Sequence, residues 1–346
     1  MSLTDYIKST PQEFEGRPLT ALPSPHDPRD YKYPRILSTK APLRDTGGPI
    51  DYRENMPSVF DQKQRGSCVA CATAWTPKAF QEINEGDFPV SGLSASYLYT
   101  RCKQLDGIPN DEGTYPRTAM QVLYKYGICP EDAMPYSTLS SLPAPRVPGI
   151  PVIADAQAGK YKISAYAQLA DYIDVDRSGL LATIRQALLR EGPIVLALLV
   201  CSNFVPDSMG RLPLPQGTIQ GGHAVGIVGH LPEIKCLILR NTWGKDWGIN
   251  GYAYLPEEWL TWTSDVYKSV FEAWTATDSV VPKRAKEIII VPGAYTMNVD
   301  GVQVMLDQPA FITGADRTML PIRAVAANMG YIVDWRDGKV ILTDPS

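Results

Sequence analysis

The chain has 346 residues, room for about two domains and enough to bury a core without disulfide or metal support. Its 33 basic and 37 acidic residues leave a net charge of −4, which argues against nucleic acid as the main partner. Prolines number 30, about 9% against a usual ~5%, so loops should be many; histidines number three, so imidazole chemistry must use His26, His223 or His230.

In chain order, residues 1–18 lack the apolar run of a secretory signal. The most apolar internal run, residues 194–201, is far short of the ~20 residues of a membrane span. Residues 1–48 are polar and Pro-rich and read as an extended arm with little helix, a candidate pro-segment. A compact region begins near Ile50. Helical spacing of Ala72, Trp75, Ala79, Phe80 and Ile83 predicts a helix that Pro77 kinks or cuts short. A second helix is predicted over 117–126, stopping at Gly127. Residues 137–160 read as a long surface connection. A third helix follows Ser178 with Leu181, Ile184 and Leu188 on one face and ends at Gly192-Pro193. Strands are predicted at 194–200, 223–230, 236–241 and 251–256. Helices first and strands later imply an α+β fold. After a charged connector at 283–287 comes a small unit. It holds a hairpin turning at Asp300-Gly301, a short helix over 320–330 and two more strands from 331 to 343.

The strongest chemical signal lies in residues 61–75. Cys68 opens a helix behind Gly66-Ser67, where free N–H groups and the helix dipole favour a thiolate. Gln62, six residues earlier, has an amide able to donate to a developing oxyanion. His223 follows two glycines, and Asn241 ends a strand ahead of Trp243, Gly244, Trp247, Gly248 and Gly251. Cys68 and Cys71 could also be half a zinc site or a redox pair. No second Cys-x-x-Cys and no alternating βαβ pattern supports either.

Together these elements resemble the papain-like cysteine peptidases over about residues 50–275, most nearly the bacterial branch with its Asp-Gln-x-Gln-x-Gly-Ser-Cys element. The resemblance implies a two-lobed α+β fold: a helical lobe beside an antiparallel, barrel-like β lobe. The papain-like domain would span 49–282. The family's Gln-to-Cys interval of six selects Cys68 over Cys71 as nucleophile. It also places Arg65 where papain carries a half-cystine, so that disulfide is expected to be missing.

The resemblance further implies roles. Cys68 would be a thiolate paired with a His223 imidazolium, and His223 would act first as acid and then as base. Asn241 would orient the imidazole, with Trp243 shielding their bond. The Cys68 N–H and Gln62 would form the oxyanion hole. Gly113 and Thr114 match the Gly-Gly strip that pairs with substrate backbone, Thr114 implying a narrower cleft. Gly222 stands where papain has Asp, and Val69 where it has Trp. The arm is expected to lie across or near this cleft and restrain activity. His230 is expected at the surface and His26 in solvent.

The implied reaction is peptide-bond hydrolysis through a thioester acyl-enzyme, on a peptide or protein substrate and without metal or other cofactor. The alternative is a catalytically weak or silent papain-fold binding module. Residues 288–346 resemble the copper amine oxidase N-terminal-like domain. With no His or Cys in that stretch, no copper site is expected. The unit is expected to bind another macromolecule or the peptidase domain itself. Localisation stays open: the resemblance points to cell surface or secretion, otherwise the cytoplasm.

Overall fold

The computed structural model describes residues 2–28, 30, 32–33, 45–264 and 267–277, together with seven strands between 288 and 343. Contacts divide the chain into two units, Met1–Asp278 and Ser279–Ser346.

The first unit begins with the arm, which holds one short helix before it runs extended. The arm opens with helix α1 (Leu3–Ser9), because Ser2 caps the Asp5 N–H and Leu3 and Ile7 fall on one buried face. A hairpin of β1 (Glu13–Phe14) and β2 (Arg17–Pro18) follows. The chain then runs extended through Leu19, Thr20, Ala21 and Leu22, all 3% exposed or less. An arm that buries these side chains is part of the core. After β3 (Ile50–Asp51) comes the segment carrying Cys68. Helix α2 (Cys68–Thr73), a π-helical turn (Ala74–Lys78) and α3 (Ala79–Glu85) form one rod. Pro77 has no N–H to give, and the widened turn around it absorbs that loss without ending the helix.

Helix α4 (Ala95–Leu105), capped by Ser94, and helix α5 (Pro116–Lys125) flank α2. Gly127, at φ +81°, closes α5, and a Cβ there would sit 2.0 Å from the Ala158 carbonyl oxygen. The predicted loop over 137–160 holds two short helices, α6 (Tyr136–Ser140) and α7 (Val152–Ala158), whose Leu139, Ala154 and Ala158 are buried. Helix α8 (Leu180–Glu191) buries Leu180, Ile184, Ala187 and Leu188; Leu181 is only partly buried.

Seven strands make one antiparallel sheet in the order β4 (Ala165–Ala170), β9 (Val270–Thr277), β5 (Ile194–Cys201), β6 (Ile219–Leu231), β7 (Cys236–Arg240), β8 (Tyr252–Pro256), with β3 pairing β6. Strand β5 is buried on both faces. Val195, Ala197 and Leu199 face the core shared with α2, α4 and α5, while Leu196, Leu198 and Val200 face a second core with α8 and Trp259. The sheet therefore joins two cores, and the helix carrying Cys68 packs on β6, which carries His223.

In the second unit β10 (Ile288–Ile290), β11 (Thr296–Val299) and β12 (Val302–Met305) form an antiparallel ladder. Val299 stands opposite Val302, the register a two-residue hairpin loop requires. Strands β13 (Phe311–Ile312) and β14 (Thr318–Met319) pair, as do β15 (Ile332–Arg336) and β16 (Lys339–Thr343). The connector at 283–287 and the helix read at 320–330 lie outside the described residues.

Candidate active site

The loop before Cys68 is fixed from several sides. The Gln62 N–H donates to the Thr242 carbonyl at 2.8 Å, and Asp61 bridges Trp243. The Gln62 side-chain amide donates to the carbonyls of Arg65 (2.9 Å) and Pro18 (3.3 Å), while its oxygen accepts the Thr242 hydroxyl at 2.5 Å. That acceptor contact fixes which end of the amide is the donor. Cys68 begins α2 and is fully buried. The neighbouring Ala224, Thr20 and Val69 backbones and the Thr20 side chain favour its charged form and partly oppose the effect of burial. Ala224 is the residue after His223. Cys71, one turn on, is sealed in the helical core, and all six cysteines are free thiols.

His223 Nε2 lies 2.8 Å from Asn241 Oδ1, and its ring stacks on Trp243 with centroids 4.7 Å apart. The stack covers the imidazole–amide bond; Trp243 is 3% exposed. His223 Nδ1 has no hydrogen-bond partner among the described residues.

The arm occupies the groove between Gly222 and the Gly113–Thr114 strip. The Ala21 N–H donates to the Gly222 carbonyl at 2.9 Å and the Leu22 N–H to the Thr114 carbonyl at 3.2 Å. Both bridges are parallel, Thr20 with Gly222 and Ala21 with Thr114. Glycine is required on both walls. A Cβ on Gly113, at φ +89°, would sit 2.0 Å from the Thr20 oxygen, and one on Gly222 would sit 2.1 Å from the Ala21 oxygen. Thr114 does not narrow the groove, contrary to the sequence expectation. Its hydroxyl turns away to Asp106 at 3.0 Å, and the side chain is fully buried. Beyond the groove, the Ser24 N–H donates to Glu272 Oε2 at 3.0 Å, and Arg117 pairs with Asp30 at 3.1 Å.

The thiolate–imidazolium pair expected from sequence is not the state this structure holds. Burial pushes the Cys68 thiol up, against the partial opposition of the Ala224, Thr20 and Val69 backbones beside it. Burial also pulls His223 down to about 4, opposed by Asn241. Both groups are neutral at pH 7, because the arm takes the water that would solvate the charged forms.

One of the other two histidines departs from expectation. His230 is not at the surface: 2% exposed, its Nδ1 is 2.5 Å from Arg185 and its Nε2 2.7 Å from Glu257. Those partners come from α8 and the turn after β8, which single-sequence reading does not join. His26 is exposed as expected, its side chain 41% exposed and 3.3 Å from Asp171. Sequence reasoning passed over Glu272; its one signal was a carboxylate inside an apolar strand. The group is fully buried, accepts the Trp274 Nε1–H at 2.5 Å, and is pushed up to about 7 by desolvation.

His223 and Glu272 have opposite effects on stability. His223, lowered from 6.5 to about 4, contributes stability that is complete above pH 6.5 and shrinks as pH falls toward 4. Glu272, raised from 4.5 to about 7, contributes stability that is complete below pH 4.5 and shrinks as pH rises toward 7. Between pH 4.5 and 6.5 the slopes oppose. Glu272→Gln removes one of them, so its unfolding free energy, read from urea titrations, should climb more steeply over that range than the wild type's, by up to ~1.4 kcal/mol per pH unit. Parallel profiles for the two proteins would show that Glu272 does not titrate as described.

A family model described as papain family cysteine protease matches residues 48–263, and one described as copper amine oxidase N-terminal domain matches residues 250–343. An uncharacterized peptidase C1-like protein of Acanthamoeba polyphaga mimivirus is 32% identical over 209 residues, 59% of this chain and 65% of that protein. A cathepsin B-like protein of Giardia intestinalis is 28% identical over 211 residues, 59% of this chain and 66% of its own length. The chain thus spans slightly under two thirds of these relatives. Among solved structures, xylellain, a cysteine protease from Xylella fastidiosa, superposes with a TM-score of 0.60 at 27% identity, covering 75% of this chain and 96% of that one. A digestive procathepsin L 3 of Tenebrio molitor larval midgut shares the fold, with a TM-score of 0.53 at 20% identity over 80% of this chain and 79% of that one.

Proposed function

Because this chain belongs to the papain family of cysteine proteases, we propose that it hydrolyses peptide bonds through Cys68, His223 and Asn241, held in check by its own arm. The observation that carries the reading is the His223–Asn241 bond under Trp243, with Nδ1 left unpaired, on the strand against which the Cys68 helix packs. Once the arm leaves, water and substrate re-solvate the site, and a proton passes from the Cys68 thiol to His223 Nδ1. The thiolate attacks the scissile carbonyl carbon. The C=O pair moves onto oxygen, which takes the Cys68 N–H and the Gln62 amide as donors. His223 protonates the leaving amine as the tetrahedral centre collapses to a thioester. It then takes a proton from water, whose oxygen attacks the thioester; the acid leaves and the thiol is restored. Asn241 holds the imidazole in one orientation throughout.

Substrate backbone would lie where Ala21 and Leu22 now lie, with Gly222 and Thr114 offering the carbonyls those residues use. Gly113 keeps that approach open, and Trp243 covers the leaving-group side. The chain stretch matched as copper amine oxidase N-terminal domain contains no His and no Cys. Its donor set does not fit copper, and no step runs through a metal. Residues 288–346 are read as an accessory module that binds a macromolecule.

The test is a fluorogenic peptide-library profile of the purified chain, with Cys68→Ala as control. The reading expects cleavage that the control lacks. No cleavage by either protein, even after the arm is loosened, would favour a silent papain-fold binding module.

A further inference from the structure

We propose that the Tyr136 hydroxyl is a positioning group for the oxyanion hole, setting the main chain on both sides of the Gln62–Cys68 turn. This rests on the peptidase reading above. Tyr136 opens α6 and is 5% exposed. Its oxygen is 2.7 Å from the Gln62 carbonyl and 2.6 Å from Ser67 Oγ. A carbonyl can only accept, so the tyrosine proton goes to Gln62, and Ser67 must donate its own proton to the tyrosine oxygen. Ser67 Oγ is then left to accept, and the Cys71 thiol stands 3.4 Å away to donate. The result is a directed chain, Cys71 to Ser67 to Tyr136 to Gln62, buried at every member. Such chains strengthen each bond in them.

The two ends of this chain bear on the chemistry. Gln62 supplies the side-chain donor of the oxyanion hole, and Ser67 carries the peptide carbonyl whose partner N–H is that of Cys68. One hydroxyl therefore spans both donors. The turn between them is held by the same loop. Arg65, 3% exposed, donates to the carbonyls of Leu142 (3.1 Å) and Arg146 (3.0 Å). Its Nε lies 3.6 Å from Glu112, whose Oε1 also accepts the Gly66 N–H at 2.8 Å. Residues 136–146 thus strap the turn by hydrogen bonds. An edge-on contact of Tyr136 with Phe60, centroids 4.9 Å apart, fixes the ring so that the hydroxyl cannot swing away.

Tyr136→Phe keeps the ring and removes the hydroxyl. Two readouts separate positioning from activity. The first is amide hydrogen exchange in a peptide spanning residues 61–68, expected to speed up about tenfold. The second is the ratio of peptide turnover to iodoacetamide alkylation of Cys68. Both reactions need the arm displaced, and only turnover uses the oxyanion hole, so the ratio should fall about 10- to 100-fold, below the 10²–10³ of losing a whole donor. Ser67→Ala breaks the chain at its middle and should move both readouts the same way, more weakly. Unchanged exchange at 61–68 overturns the proposal whatever the activity. Faster exchange with an unchanged ratio overturns it as well. A wild type that is alkylated at Cys68 but cleaves no peptide refutes the peptidase reading, while the exchange data still decide whether Tyr136 sets the turn.

Discussion

His223→Ala should lower kcat/KM for a peptide on the order of 10⁴-fold, the largest loss of any single change outside Cys68. The imidazole is asked to take the thiol proton, protonate the amine and deprotonate the water, and the site offers no second base. Of the other two histidines, His230 is locked between Arg185 and Glu257, and His26 sits with Asp171. Asn241→Ala should cost less, roughly 10- to 100-fold, because it removes only the partner at 2.8 Å that orients the ring. His230→Ala serves as control and should leave turnover within about twofold while lowering stability, since Arg185 loses a buried partner. Steady-state kinetics of the three variants check the series. Equal losses for His223→Ala and His230→Ala would mean a folding defect and not a catalytic role.

The second large effect is a gain. Leu22→Asp should raise both the alkylation rate of Cys68 and peptide turnover by about 10²-fold. In the closed state Cys68 and His223 are fully buried, so reaction requires the arm to leave. Leu22 is 1% exposed and its N–H is spent on Thr114. Burying that side chain stabilises docking by about 1.5–3 kcal/mol, and a carboxylate in its place adds a desolvation cost. Losing ~2.7 kcal/mol of docking free energy opens the site a hundredfold more often. The arm also holds on through Ser24 at Glu272 and through Asp30 at Arg117, so one substitution loosens it without removing it. Reaction rates equal to wild type would show that the arm does not restrain the site.

Much of the site was legible because its parts are short contiguous motifs. Gly66-Ser67-Cys68, the strand through His223 and the run from Asn241 to Gly251 each carry their own pattern, and the papain resemblance followed from their order. The core strands β5 to β8 were legible as apolar runs. Strands β4 and β9 were not, since AYAQLA and VFEAWTAT each place a polar side chain inside the run. The arm was read as extended, with little helix and lying near the cleft; its seven-residue helix and the depth of its burial were not legible, because that burial depends on the cleft it fills. Proline-rich composition says that a segment is extended; it does not say whether anything covers it. Glu272, Tyr136 and the His230 pair were invisible for a related reason. Each gains its role from partners 27 to 248 residues away, and pairing at such range leaves no periodic trace.

The charge state of the site also lay beyond sequence. Spacing can place a thiol at a helix start, where the dipole favours the thiolate. It cannot report that the thiol and the imidazole are both fully buried with the arm in place, which reverses the balance and leaves Cys68 and His223 neutral. The closed structure and the proposed reaction therefore differ in one respect: whether the arm or a solvated substrate fills the groove.

The most direct test of the catalytic assignment is to incubate the Leu22→Asp protein with an epoxysuccinyl thiol-protease inhibitor and map the adduct by peptide mass. The account predicts a single adduct on Cys68 that disappears when His223→Ala is added. An adduct on Cys71, no adduct at all, or one on Cys68 that forms equally well without His223 would contradict it.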